Sequence, residues 1–293
     1  MTTQACCRKV APVIILAGQS NAVGVGYTEY MPRHFSPEKV AEFAAGYPTQ
    51  INYFSHDKTS GGFVPVGLGC TERHKNTFGP EVGMAEVLTR DCPGETYFLI
   101  KCAVGGTSMW RDWLSPSGGE AYDPEARAES PEAAVYAVDH GQPLPTGWLY
   151  NELVAMAKSS LAELSERGYT PQIKGFCWMQ GEADACDAAL TEQYEARFTA
   201  LLRDLAEALS PYMEDCVVVD AGISEVWPMY REMNRMKADM AAEGPRGVYL
   251  DTVGHGLTTA KEPEGAVDHY HYDSDSVIAL GRLFARAVLD HGV

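Results

Sequence analysis

Strand-length apolar runs alternate with stretches of helical periodicity along most of the chain. That alternation points to a mostly parallel sheet with helices on both faces. The runs that read as strands lie around residues 12–17, 51–54, 96–103, 173–179, 216–221 and 248–251. The clearest helix covers roughly 188–209, where Leu190, Tyr194, Phe198, Leu201, Leu202, Leu205 and Leu209 make one apolar stripe, closed by Ser210-Pro211. Another spans about 274–290, with Val277, Leu280, Phe284 and Val288 on one side, and further helices are expected near 80–90, 149–167 and 229–242. From Ser108 to Trp148 the periodicity lapses into a Pro- and Gly-rich stretch that carries Trp110, Trp113, Tyr122, Tyr136 and Trp148. A long irregular insertion in a compact chain is usually functional. Its aromatic faces suit sugar rings or acyl groups, with Trp110 and Trp113 as candidate substrate contacts, and they suit sealing the loop onto the domain equally well.

With 293 residues, 45% hydrophobic content and no repeat or linker, the chain reads as a single domain, 1–293, with a loop insertion at about 108–148. Forty acidic against twenty-three basic residues give a formal charge of -17, which repels phosphate backbones and anionic bilayers and argues against nucleic acid or membrane partners. The longest apolar runs, such as Val13 to Ala17, are far too short to span a bilayer. Arg8 and Lys9 precede the first run, but that run leads straight into a motif it must support, so no signal peptide is read. Of the eight cysteines, Cys102, Cys177 and Cys216 fall in or beside expected strands, and no pair has Cys-x-x-Cys spacing. This usage fits a reducing, cytoplasmic compartment best, although an exported chain whose leader has been removed would show the same cysteines. Nothing in the pattern fixes an oligomeric state.

Four segments carry chemistry, and each follows an expected strand or lies in the last loop. The first is Gly18-Gln19-Ser20-Asn21, after the strand Val13 to Ala17. A serine there is a candidate nucleophile, and a helix beginning just after it adds partial positive charge for a developing oxyanion. Serine is also a common helix N-cap, so the tetrapeptide alone is a weak signal. The second, Gly105-Gly106-Thr107, follows Tyr97 to Ala103, where a glycine lets a backbone N–H approach a substrate oxygen. The third is Trp178-Met179-Gln180-Gly181-Glu182-Ala183-Asp184, with Gln180 as a possible side-chain donor to the same oxygen. The fourth is Asp268-His269-Tyr270-His271. Its Asp-x-x-His spacing lets a carboxylate meet imidazole Nδ1 and leaves Nε2 to face Ser20, so His271 is the preferred base. A metal site on His269 and His271 is the competing reading, without a further His or Cys cluster to complete it.

In this order the segments resemble the SGNH hydrolase superfamily, and within it the sialate O-acetylesterase and carbohydrate esterase family six group. The blocks that carry the resemblance stand at residues 18–21, 78–81, 105–107, 178–184 and 268–271 and cover nearly the whole chain. Members commonly have glycine directly after the aspartate of the last block, where this chain has His269. The resemblance implies a three-layer flavodoxin-like α/β fold, with Ser20 as nucleophile, His271 as base and Asp268 as its orienting acid. It also implies an oxyanion hole from the N–H groups of Ser20 and Gly106 with the side chain of Gln180. Asn21, Glu81 and Glu182 are read as supports of the site. The expected activity is cofactor- and metal-independent hydrolysis of short acyl esters, above all acetyl, on a carbohydrate. The alternative is a catalytically weak carbohydrate-binding protein on the same fold. A phosphate loop at Gly24-Val25-Gly26 lacks its lysine, and the α/β-hydrolase elbow lacks its second glycine.

Overall fold

A computed structural model describes residues 9–55, 58–71, 76–119 and 144–292. The central sheet is built from β1 (Val10–Gly18), β3 (Tyr47–Ser55), β7 (Phe98–Ala103), β8 (Thr170–Met179), β9 (Val217–Ala221) and β10 (Gly247–Leu250). These run parallel in the spatial order β10-β9-β8-β1-β7-β3, and two short strands, β4 (Lys58–Thr59) and β5 (Val64–Val66), pair antiparallel with β3 at the edge. A separate two-stranded ribbon joins β2 (Gly26–Tyr27) to β6 (Thr77–Phe78). The expected strands all form, and the mostly parallel α/β class holds.

The helices are α1 (Ser20–Val23), α2 (Met31–His34), α3 (Pro37–Ala45), α4 (Glu81–Asp91), α5 (Trp148–Glu166), α6 (Ala188–Ala208), α7 (Tyr230–Glu243) and α8 (Ser274–His291). Strand β8 shows helices on both faces, because neighbouring residues of a strand point to opposite sides. Phe176 and Trp178 stack on one side, and Trp178 continues onto Phe198 of α6 with ring centroids 5.5 Å apart. Gly175 faces the other side, where a Cβ would lie 2.4 Å from Val288 of α8. Most of the stripes expected on α6 and α8 are buried: Leu190, Tyr194, Phe198, Leu201 and Leu205 on the first, with Leu202 only partly buried, and Val277, Leu280, Phe284 and Val288 on the second. Asp187 caps α6 by accepting from the Ala189 and Leu190 N–H groups. Among the described residues no helix is long and apolar enough to cross a membrane.

The order of strands places the chemistry. β1 lies between β7 and β8, with Gly18 level with Ala103 on one side and Met179 on the other. The segments that follow these three strands therefore emerge side by side at the carboxyl edge of the sheet, where open α/β sheets bind ligands. Of the insertion expected at 108–148, residues 108–119 and 144–148 are described; Tyr122 and Tyr136 lie outside the described residues.

Candidate active site

Gly18 makes the first turn possible. Its φ is +143°, and a Cβ there would sit 1.9 Å from the carbonyl oxygen of Met179, so any side chain would push β1 away from β8. The turn is then tied to both neighbours. The Gln19 N–H donates to Met179 O at 2.9 Å, and the Val104 N–H donates to Gly18 O at 3.2 Å. Ser20 opens α1 and is 5% exposed. The Ala22 and Val23 N–H groups close the turn on Gln19 O, so the Ser20 N–H stands outside the ladder of the short helix.

The segments after β7 and β8 lock onto each other. Gln180 is fully buried, and its amide nitrogen donates to Asp184 Oδ2 at 2.6 Å, to Thr107 O at 3.1 Å and more weakly to Gln19 Oε1 at 3.4 Å. Both amide hydrogens are taken up within the protein, while Gln180 Oε1 is buried without a partner. In this arrangement the amide is engaged with Asp184 and Thr107 and not turned toward a substrate oxygen. Asp184 also accepts from the Met109 N–H at 2.9 Å. Burial pushes its carboxyl up to about 6 against the pull of those hydrogen bonds.

The last loop carries its own pair. Asp268 Oδ2 lies 2.5 Å from His271 Nδ1, and Asp268 Oδ1 accepts from the Tyr270 N–H at 3.0 Å. Partial burial of Asp268 opposes its ionisation, but the hydrogen bond and the charge of His271, with the backbone N–H groups, hold its carboxyl below the ordinary value. His269 is exposed, and among the described residues no cluster of three or more His, Cys, Asp or Glu side chains could hold a metal ion.

Asn21, next to Ser20, fastens this loop. Its Oδ1 accepts from the Tyr272 N–H at 3.0 Å, and its Nδ2 donates to Tyr270 O at 3.3 Å and to Glu182 Oε1 at 2.9 Å. The residues gripped flank His271. Among the described residues no hydrogen bond joins Ser20 to His271 directly; the connection runs through Asn21. Glu182 is fully buried, its Oε2 lacks a partner, and burial raises its carboxyl above the ordinary value.

Glu81 supports α1 from the opposite side. It accepts from Lys101 Nζ at 2.6 Å, Thr71 Oγ1 at 2.5 Å and the Gly79 N–H at 3.1 Å, and Lys101 Nζ also donates to Val23 O at 2.7 Å. Sequence reasoning missed Lys101. The available signal is a lysine in the apolar strand Phe98–Ala103, which needs a buried partner. Removing one member of such a pair typically costs about 3–5 kcal/mol.

The aromatic candidates fall differently. Trp113 is fully buried, packs edge-on against Trp178 at 4.9 Å and donates Nε1–H to Thr107 Oγ1 at 3.1 Å, which leaves no face for a sugar. Trp110 is 4% exposed. Trp113 belongs to the packing that seals residues 108–119 onto the sheet. The aromatic pair at the surface beside the last loop is one the sequence did not mark: Tyr270, 56% exposed, against Trp227 at 5.2 Å.

A search of the curated proteins found no match. Among solved structures, a protein from Arabidopsis thaliana shares 18% identity over 98% of this chain and 100% of its own, with a TM-score of 0.63. NanS shares 18% over 97% and 98%, with a TM-score of 0.62. A carbohydrate acetylesterase from Xanthomonas citri shares 13% over 96% of this chain and 56% of its own, with a TM-score of 0.55. These likenesses establish the fold. The profile described as carbohydrate esterase, sialic acid-specific acetylesterase matches residues 10–290, and the chain therefore belongs to that family of carbohydrate O-acetylesterases.

Proposed function

We propose that Ser20, His271 and Asp268 form the triad of a serine esterase that removes acetyl groups from carbohydrate hydroxyls through an acyl-enzyme. The observation that carries this reading is the 2.5 Å pair of Asp268 and His271, fastened through Asn21 to the turn that holds Ser20. Asp268 fixes the imidazole with Nδ1–H toward itself, which makes Nε2 the basic nitrogen. His271 takes the Ser20 proton as Oγ attacks the ester carbonyl. The tetrahedral oxyanion is met by the N–H groups of Ser20 and Gly106. Gln180 adds a third donor when its amide releases Thr107 O. His271 then gives the proton to the departing sugar oxygen, and a water activated by the same imidazole hydrolyses the acetyl-serine.

Tyr270 and Trp227 are the aromatic surface available to the sugar beside this loop, and acetylated xylan, O-acetyl sialic acids and acetylated oligosaccharides are the candidate substrates. The test is acetate release across a panel of these glycans. At least one should be cleaved by the parent protein and not by Ser20→Ala. Acetate release by Ser20→Ala at the parental rate would overturn the assignment.

A further inference from the structure

We infer that Asn21 is a positioning residue: its carboxamide sets the distance and angle between the Ser20 hydroxyl and the His271 imidazole. The inference rests on the triad reading above and adds the element that joins its two halves. Asp268 and His271 are three residues apart and complete their hydrogen bond within one loop. That pair is useful only if it is delivered to a serine encoded some 250 residues earlier. Asn21 makes the delivery, with a separation of 251 residues to the Tyr272 N–H it accepts from.

The chemistry of the grip is specific to a carboxamide of this length. One acceptor and two donor hydrogens are needed, and all are in use: Oδ1 with the Tyr272 N–H, Nδ2 with Tyr270 O and Glu182 Oε1. Bonds to the carbonyl before His271 and the N–H after it hold the backbone at residue 271 at two points, which fixes rotation as well as translation. Glu182 accepts only from the nitrogen end, so it decides which way the amide faces. Asn21 is 1% exposed, so water cannot readily take over these bonds. Asp keeps the acceptor but loses the donors and sets a second carboxylate against Glu182; Ala loses everything.

On this account the damage falls on chemistry and not on substrate affinity, since a displacement of about 1 Å can cost on the order of 100-fold in rate. The experiment compares Asn21→Ala and Asn21→Asp with the parent in three measurements. These are kcat and KM for an acetyl ester, the rate at which an organophosphonate labels Ser20, and the downfield imidazole proton resonance of the Asp268–His271 hydrogen bond. The expected result is a kcat and a labelling rate both lowered by about 30- to 100-fold, KM within about twofold of the parent, and the downfield resonance retained. A kcat within about threefold of the parent in both variants overturns the inference. So does a raised KM at unchanged kcat, or loss of the resonance together with activity, which marks collapse of the loop. Failure of the triad reading looks different: the parent protein itself would resist phosphonate labelling at Ser20.

Discussion

Asp184 shows how a buried carboxylate can organise a site and leave a trace in stability. It orders Gln180 and the Met109 backbone, and burial pushes its carboxyl from an ordinary 3.8 to about 6. Between those values the unfolded chain has released a proton that the folded protein still holds, so this group lowers stability as pH rises through that window. Asp184→Asn should remove that loss while keeping an acceptor for the Met109 N–H, and Gln180 can turn its unpartnered oxygen toward the new amide. Urea unfolding at about pH 4 and about pH 7 should therefore give a shallower decline for the variant than for the parent. Parallel declines would mean that Asp184 is ionised in the fold at little cost. At this scale the sequence was partly legible. Asp268, His271 and Asn21 stood in recognisable blocks, as did Glu81 and Glu182, whose buried contacts run to Lys101 and to Asn21. The direction of the Gln180 amide and the burial of Trp113 were not legible, because residue type does not say which face of a turn points inward.

Two helices carry the site between them. α4 begins at Glu81, and α8 begins three residues after His271, so their crossing fixes the last loop relative to the Glu81–Lys101 pair. The crossing depends on two glycines. A Cβ on Gly281 would stand 1.9 Å from Pro80 O, and one on Gly83 would stand 2.2 Å from Ile278 O. Gly281→Ala should force the helices apart, at a cost of about 2–4 kcal/mol. Activity should fall more than in a variant equally destabilised elsewhere, because the loop bearing Asp268 and His271 moves with α8. Thermal unfolding and kcat measured on the same sample check this, and an unchanged melting temperature would contradict the close crossing. The long helices and parallel strands were readable because an apolar stripe or run is repeated over many residues. Short pieces such as α3, β4 and β5 were not, since two to nine partly exposed residues leave little periodic signal.

For the molecule as a whole, alternation in the sequence predicted parallel strands but not their lateral order. Pairing of β1 with β7 and β8 is a long-range fact, encoded in close approaches such as Gly18 against Met179 and not in any local pattern. That order brings three separated blocks to one carboxyl edge, Asn21 ties the last loop to them, and the two halves of the proposed triad become mutually dependent. The most direct measurement is a double-mutant cycle on acetyl ester hydrolysis with Ser20→Ala, His271→Ala and both together. Residues that act as one unit predict a loss in kcat of about 10⁴-fold or more for each single variant, and a double variant no worse than either. Losses that multiply, or a parental rate in either single variant, would contradict the account.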